Sequence, residues 1–131
     1  MKSRLWLCVP PIVLCMVDQL LTLGGQPESY WRGQYDHANE ASPPFYWLLR
    51  QHPLAFEAGI AAWILLFCLA ILVLPRRLAM TLSIAILIGH TWGAASWLTM
   101  RGPYGYWLSI ALFGAAALTI TLSWERYSRR P

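Results

Sequence analysis

Four apolar runs dominate the chain, over residues 5–23, 54–74, 78–98 and 106–124. A helix rises 1.5 Å per residue, so about 20 apolar residues cross the hydrocarbon core of a bilayer. Each run has that length. Lipid offers no hydrogen-bond partner to an open backbone, so runs of this kind form helices rather than strands. The pattern therefore predicts an all-α fold: a bundle of four transmembrane helices in one integral membrane domain, residues 1–131. Polar residues interrupt the runs sparsely. The first holds Pro10, Pro11 and Asp18, the second Glu57 and the third His90. The fourth has no ionisable side chain between its ends.

The first run follows Lys2 and Arg4, as a secretory signal would. No clear small-x-small cleavage site follows it, and Asp18 would fall in the apolar region. Ile12-Val13-Leu14-Cys15 is a poor lipobox, because Leu14 is too bulky before the cysteine. The segment is read as a permanent helix.

The connections differ. Pro75-Arg76-Arg77 is a tight turn, which makes the second and third helices antiparallel neighbours. Gly102-Pro103 marks a second short turn. The loop over residues 24–53 is long, and such loops are usually functional or structured. Ser42 can cap a helix opened by Pro43 or Pro44. The aromatic stretch after it predicts a short helix over 44–52 in the outer membrane interface, or a cap over the bundle.

Composition sharpens this picture. The chain is 57% hydrophobic and 12% charged, against roughly 45–50% and about 25% in soluble domains. Mean hydropathy is +0.44. These values exclude a soluble globular domain, a disordered tail and a coiled coil. The net charge of +4 flanks the apolar runs and forms no basic stripe, so no nucleic-acid partner is expected. Lys2, Arg4, Arg76, Arg77, Arg126, Arg129 and Arg130 fall on one side, and Arg32, Arg50 and Arg101 on the other. Positive residues stay inside. Both termini are therefore expected in the cytoplasm, and the 24–53 loop faces outward.

Ionisable groups within spans are costly and usually functional. From the expected span ends, Asp18, Glu57 and His90 lie about 8, 5 and 12 Å below the outer surface. All three belong to the outer half and could converge on one outward-facing polar pocket. Gln19, Thr22, Thr91 and Ser96 are nearby, and His37, Glu40 and His52 are loop residues that could contribute. His37 and Glu40 have i, i+3 spacing, which a helix would bring together. Each residue also has a plainer role: Asp18 as a cross-helix hydrogen bond, Glu57 solvated at the interface, His90 as a packed neutral histidine, and the loop groups in water. No cofactor is predicted. A divalent metal is the occupant that imidazole and carboxylate would suit, although no ligand spacing is strong.

Other features read as packing. Ala85, Gly89 and Gly93 recur every four residues and form a smooth strip for helix contact. Six of the eight tryptophans fall near span ends or in the outer loop. Trp63 and Trp92 lie deeper, where packing is the default over stacking on a ligand. Cys8, Cys15 and Cys68 lack a Cys-x-x-Cys motif and are expected to be buried thiols. No nucleophile elbow, zincin motif, phosphate loop or dinucleotide fingerprint occurs.

Asp18-Gln19-Leu20-Leu21-Thr22 is similar to a pattern in small bacterial membrane proteins of unknown function. There an Asp-x-x-x-Thr segment precedes an acidic Asn/Pro-containing stretch and a helical hairpin. Asn39-Glu40-Ala41-Ser42-Pro43-Pro44 stands in the second place, with a different residue order and farther along the chain. The resemblance covers about 40 residues and implies a four-helix topology and no activity; the expected location is a bacterial inner membrane.

Two functions are expected as alternatives. One is an accessory or binding subunit of a membrane complex, partnered by lipid and by another membrane protein or its own copies. The other is a pocket of Asp18, Glu57 and His90 that takes a metal or proton or acts on a lipid-like substrate.

Overall fold

The computed structural model describes residues 4–128. Lys2, Arg129 and Arg130 lie outside them. Four helices are long and apolar enough to cross a membrane: α1 (Leu5–Gly24), α4 (Pro53–Val73), α5 (Arg76–Thr99) and α6 (Gly105–Ser128). Two short helices, α2 (Glu28–Trp31) and α3 (Pro43–Gln51), and a 3-10 turn at Tyr35–His37 fill the first connection. No strand occurs among the described residues. The end of the molecule holding residues 25–52 is the loop end; the end at Pro75 is the turn end.

α1 carries two interior prolines, both buried. Proline has no amide hydrogen, so Pro11 leaves the carbonyl of Leu7 without its helical partner. Ser83 of α5 replaces it: its hydroxyl donates to Leu7 O at 2.6 Å. The same hydrogen bond fastens α1 to α5, the most extensive helix pairing in the fold. Small buried residues on α5 (Ala79, Ser83, Ala94, Ala95) and on α6 (Ser109, Ala116, Ser123) let the backbones approach closely. Ser109 reaches across to Ala95 O at 3.1 Å.

α4 starts at Pro53, with His52 as its cap: Leu54 N–H donates to His52 Nδ1 at 3.1 Å. It ends where Leu74, in extended conformation, precedes Pro75. Arg4 donates to the carbonyls of Leu72 and Leu74 at 3.0 and 2.9 Å. A cation is favourable there, at the negative end of the helix dipole. Also at the turn end, Arg76 stacks on Trp124 and Tyr127, and Arg126 on Trp6. Between α5 and α6 the chain turns at Gly102, with φ +93°. A side chain at Gly105 would collide with the carbonyl of Leu98.

Leu7, Cys15, Phe67, Ile71 and Ala79 form the centre of the apolar core. The outside is also apolar: Leu65, Leu66, Val73, Ile88, Trp92 and Leu118 are each more than half exposed. An exposed apolar surface on this scale belongs in contact with something other than water.

The loop segment folds onto the loop end. Tyr30 is fully buried and donates to Leu49 O at 3.1 Å. Phe45 meets Phe56 edge to face, and Leu48 sits against Gly59. The predicted short helix is therefore present, one residue earlier than expected. Its expected cap is not made by the Ser42 side chain. Pro44 removes the amide at the second helical position, one of the two a capping side chain can bind, and leaves only the Phe45 N–H at the third.

Candidate functional site

Asp18 and His90 meet. They project from the paired faces of α1 and α5, and His90 Nδ1 lies 2.9 Å from Asp18 Oδ2. On its other side, Trp63 of α4 donates its indole N–H to His90 Nε2 at 3.1 Å. An indole nitrogen can only donate, which fixes the tautomer. Nε2 accepts, the imidazole proton is on Nδ1, and it points at the Asp18 carboxylate. The histidine is neutral while both bonds are made. Side chains of Asp18 and His90 are 19% and 13% exposed.

These residues form one wall of a cleft of about 690 Å³. α1 contributes Asp18, Gln19 and Thr22; the loop contributes residues 39–42; and α4 contributes Phe56, Ile60 and Trp63. α5 contributes the Ala85–Gly89–Gly93 strip with Trp92 and Trp97. The strip differs from the predicted helix-packing seam. Gly93 does touch a neighbouring helix, since a Cβ there would lie 2.7 Å from both Asp18 carboxylate oxygens. A Cβ on Gly89 would meet nothing within 4 Å, and Ala85 is exposed. The strip seats Asp18 at one end and is the bare floor of the cleft along the rest.

Glu57 does not join the pocket. It is exposed and does not line the cleft. The lining face of α4 runs through Phe56, Ile60 and Trp63, and a shift of one residue is about 100° around a helix. Glu40 supplies the second carboxyl instead. Gln26, itself buried, places it: the Gln26 amide donates to Asn39 O at 2.7 Å and to Thr22 O at 2.9 Å, and accepts from Asn39 N at 2.8 Å. This clasp holds residues 39–40 over α1. Glu40 then accepts from Ser42 N at 2.8 Å and has the Thr22 hydroxyl within reach. Burial pushes the Glu40 carboxyl up from its ordinary value and the Asp18 charge pushes the same way, against the hydrogen bonds from Ser42, Ala41 and Thr22. Asp18, Gln19 and Thr22 of α1 thus meet Asn39, Glu40, Ala41 and Ser42 of the loop at the cleft.

His37 and His52 lie elsewhere. His37 faces Ser29 Oγ at 3.0 Å, and the 3-10 turn ends at His37, so Glu40 does not share a helix with it. His52 spends Nδ1 on the α4 cap and packs its ring on Tyr35. Among the described residues, no group of three or more His, Cys, Asp or Glu is arranged to hold a metal ion. Thr91 is buried and bonds back to Leu87 O, and Ser96 bonds back to Gly93 O.

Trp63 is the cleft-lining partner of His90 that the pattern assigned to packing. Apart from Glu57 near its start, its helix is apolar all round, so periodicity does not reveal which face turns inward. The signal lies in the aromatic spacing of Phe56, Trp63 and Phe67, which share the Ile60 side of α4.

Comparison with protein families, with curated proteins and with solved structures gives no match.

Proposed function

We propose that the protein is a small membrane binding protein whose cleft opens on the side away from the cytoplasm and holds a small molecule. The carrying observation is the Asp18–His90–Trp63 chain at the wall of the 690 Å³ cleft. Ligand sites commonly have this size, with apolar walls and a few fixed polar groups. Asp-to-Nδ1 is also the orientation found in catalytic triads, where Nε2 must be free to take a proton. Here Trp63 occupies Nε2. The arrangement supports binding over general-base catalysis.

The four apolar helices support insertion as a four-helix bundle. Arg4, Arg76, Arg77 and Arg126 gather at the turn end, and Arg32, Arg50 and Arg101 at the loop end. Positive-inside bias supports a cytoplasmic turn end and a cleft at the outer surface of an inner membrane. An accessory role in a larger complex has one support. α6 is the least buried of the four long helices, with Tyr104, Tyr106 and Trp107 exposed around its loop end.

The test is native mass spectrometry of the full chain released from nanodiscs. Wild type is expected to carry a stoichiometric small molecule that Gly89→Phe, which fills the floor of the cleft, excludes. An adduct bound equally by both would contradict the reading.

A further inference from the structure

We infer that the occupant of this cleft is an organic cation: an ammonium group bound between Asp18 and Glu40, with an apolar body lying along the bare strip of α5. This rests on the cleft being a binding site and names what the site selects.

Charge comes first. Asp18 and Glu40 both line the cleft, and among the described residues no Lys or Arg does. His90 brings no charge, because its Nε2 is an acceptor for Trp63. Arginines in the loop segment are committed elsewhere, Arg32 to Glu28 and Arg50 to Asp36. Arg101 lies beside Gly24, outside the lining. The partners seen for the two carboxyls are neutral: His90 for Asp18, and Ser42 N–H and Thr22 for Glu40. Both carboxyls are only partly exposed, so a cation drawn in beside them is favoured over an anion, and the cleft has the room to admit one.

The walls indicate which cation. Trp63, Trp92, Phe45 and Phe56 line the same space. Aromatic faces attract alkylammonium groups, and an aromatic cage is the usual receptor for a quaternary ammonium. A small hydrated metal ion would find, among the described residues, no group of three or more His, Cys, Asp or Glu arranged to hold it. An anionic ligand would meet two like charges. A neutral amphiphile would fill the floor and leave both carboxyls unbalanced. Beside Gly89 the floor is open space, and Trp92, 72% exposed, stands at its edge. An apolar tail therefore has a path along α5 toward the turn end.

The test uses three probes of one shape on the full chain in nanodiscs of zwitterionic lipid: 4-phenylbutyltrimethylammonium, 4-phenylbutanol and 4-phenylbutyrate. Tryptophan fluorescence and calorimetry read binding. The cation is expected to bind saturably and at least about tenfold more tightly than either analogue. Glu40→Gln and Asp18→Asn are each expected to weaken it by about tenfold or more. Glu40 is on the loop, so its variant keeps the test valid should Asp18→Asn unfold. Gly89→Phe should abolish binding. If the alcohol binds as tightly as the cation and Gly89→Phe excludes both, the cleft is a binding site and the cationic class is overturned. If no probe binds, or Gly89→Phe leaves binding intact, both the cation and the cleft reading fall.

Discussion

Ser83 shows how one residue can serve two helices. Its hydroxyl closes the carbonyl that Pro11 opens and joins α5 to α1 in the same bond. A buried carbonyl left without a donor costs about 1–3 kcal/mol. Ser83→Ala is therefore expected to destabilise the protein by that amount. Pro11→Ala restores an amide at the right place, so in the double variant much of the loss should return. A double-mutant cycle by reversible detergent unfolding measures this coupling, and strictly additive losses would refute it. The hydrogen bond was not legible in the sequence. A serine in a span reads as packing, and only the register of two helices brings it to Leu7, 76 residues away in the chain. Asp18 and His90 were legible because ionisable groups in apolar runs are conspicuous and their depths matched. Glu57 failed the same reasoning. Depth places a residue along a helix and says nothing of its direction around it.

At the scale of elements, α5 does the positioning. It carries His90, Ser83 and the small-residue strip, and its two glycines have opposite roles. At Gly93 even a methyl group would press on both Asp18 oxygens, forcing the carboxylate off His90. At Gly89 a methyl group meets open space. Alanine is favoured over glycine in a helix by about 0.8–1.0 kcal/mol. Gly89→Ala is thus expected to be neutral or slightly stabilising, and Gly93→Ala to be clearly destabilising, as read by thermal unfolding in detergent. Equal effects at the two sites would show that the strip is a uniform packing seam. Spacing identifies such a strip, and it cannot distinguish a seam from a floor. Elements themselves were largely legible: the four long helices, the tight turn at Pro75 and the short helix after Ser42 lie within a few residues of their expected places. α4 is the exception in kind. Its ends are marked by Pro53 and Pro75, but beyond Glu57 nothing marks its inward face, since the rest of it is apolar all round. That is why Trp63 was read as packing.

For the whole molecule, the loop segment converts an open helix arrangement into a cleft with a lid edge. Gln26 grips Asn39, Tyr30 grips Leu49, and Glu40 is thereby held over Asp18's end of the cleft. Nothing in the periodicity of the chain joins residue 26 to residue 39, because the clasp uses backbone atoms that every residue has. The sequence could place Glu40 in the outer loop but not over the cleft. The turn end is closed differently, by Arg4 on the last carbonyls of α4 and by cations on tryptophan and tyrosine. One end of the molecule is therefore sealed, and the other holds an acidic, aromatic space.

The central claim is that His90 is a neutral spacer between Asp18 and Trp63, with Nε2 occupied and unable to act as a base. Nitrogen-15 NMR of histidine-labelled protein in nanodiscs reads this directly. The expected spectrum has a protonated Nδ1 coupled to a carboxylate and an unprotonated Nε2 hydrogen-bonded to the Trp63 indole, with the Nε2 signal shifting in Trp63→Phe. A proton on Nε2, or a His90 signal indifferent to Trp63→Phe, would contradict the account.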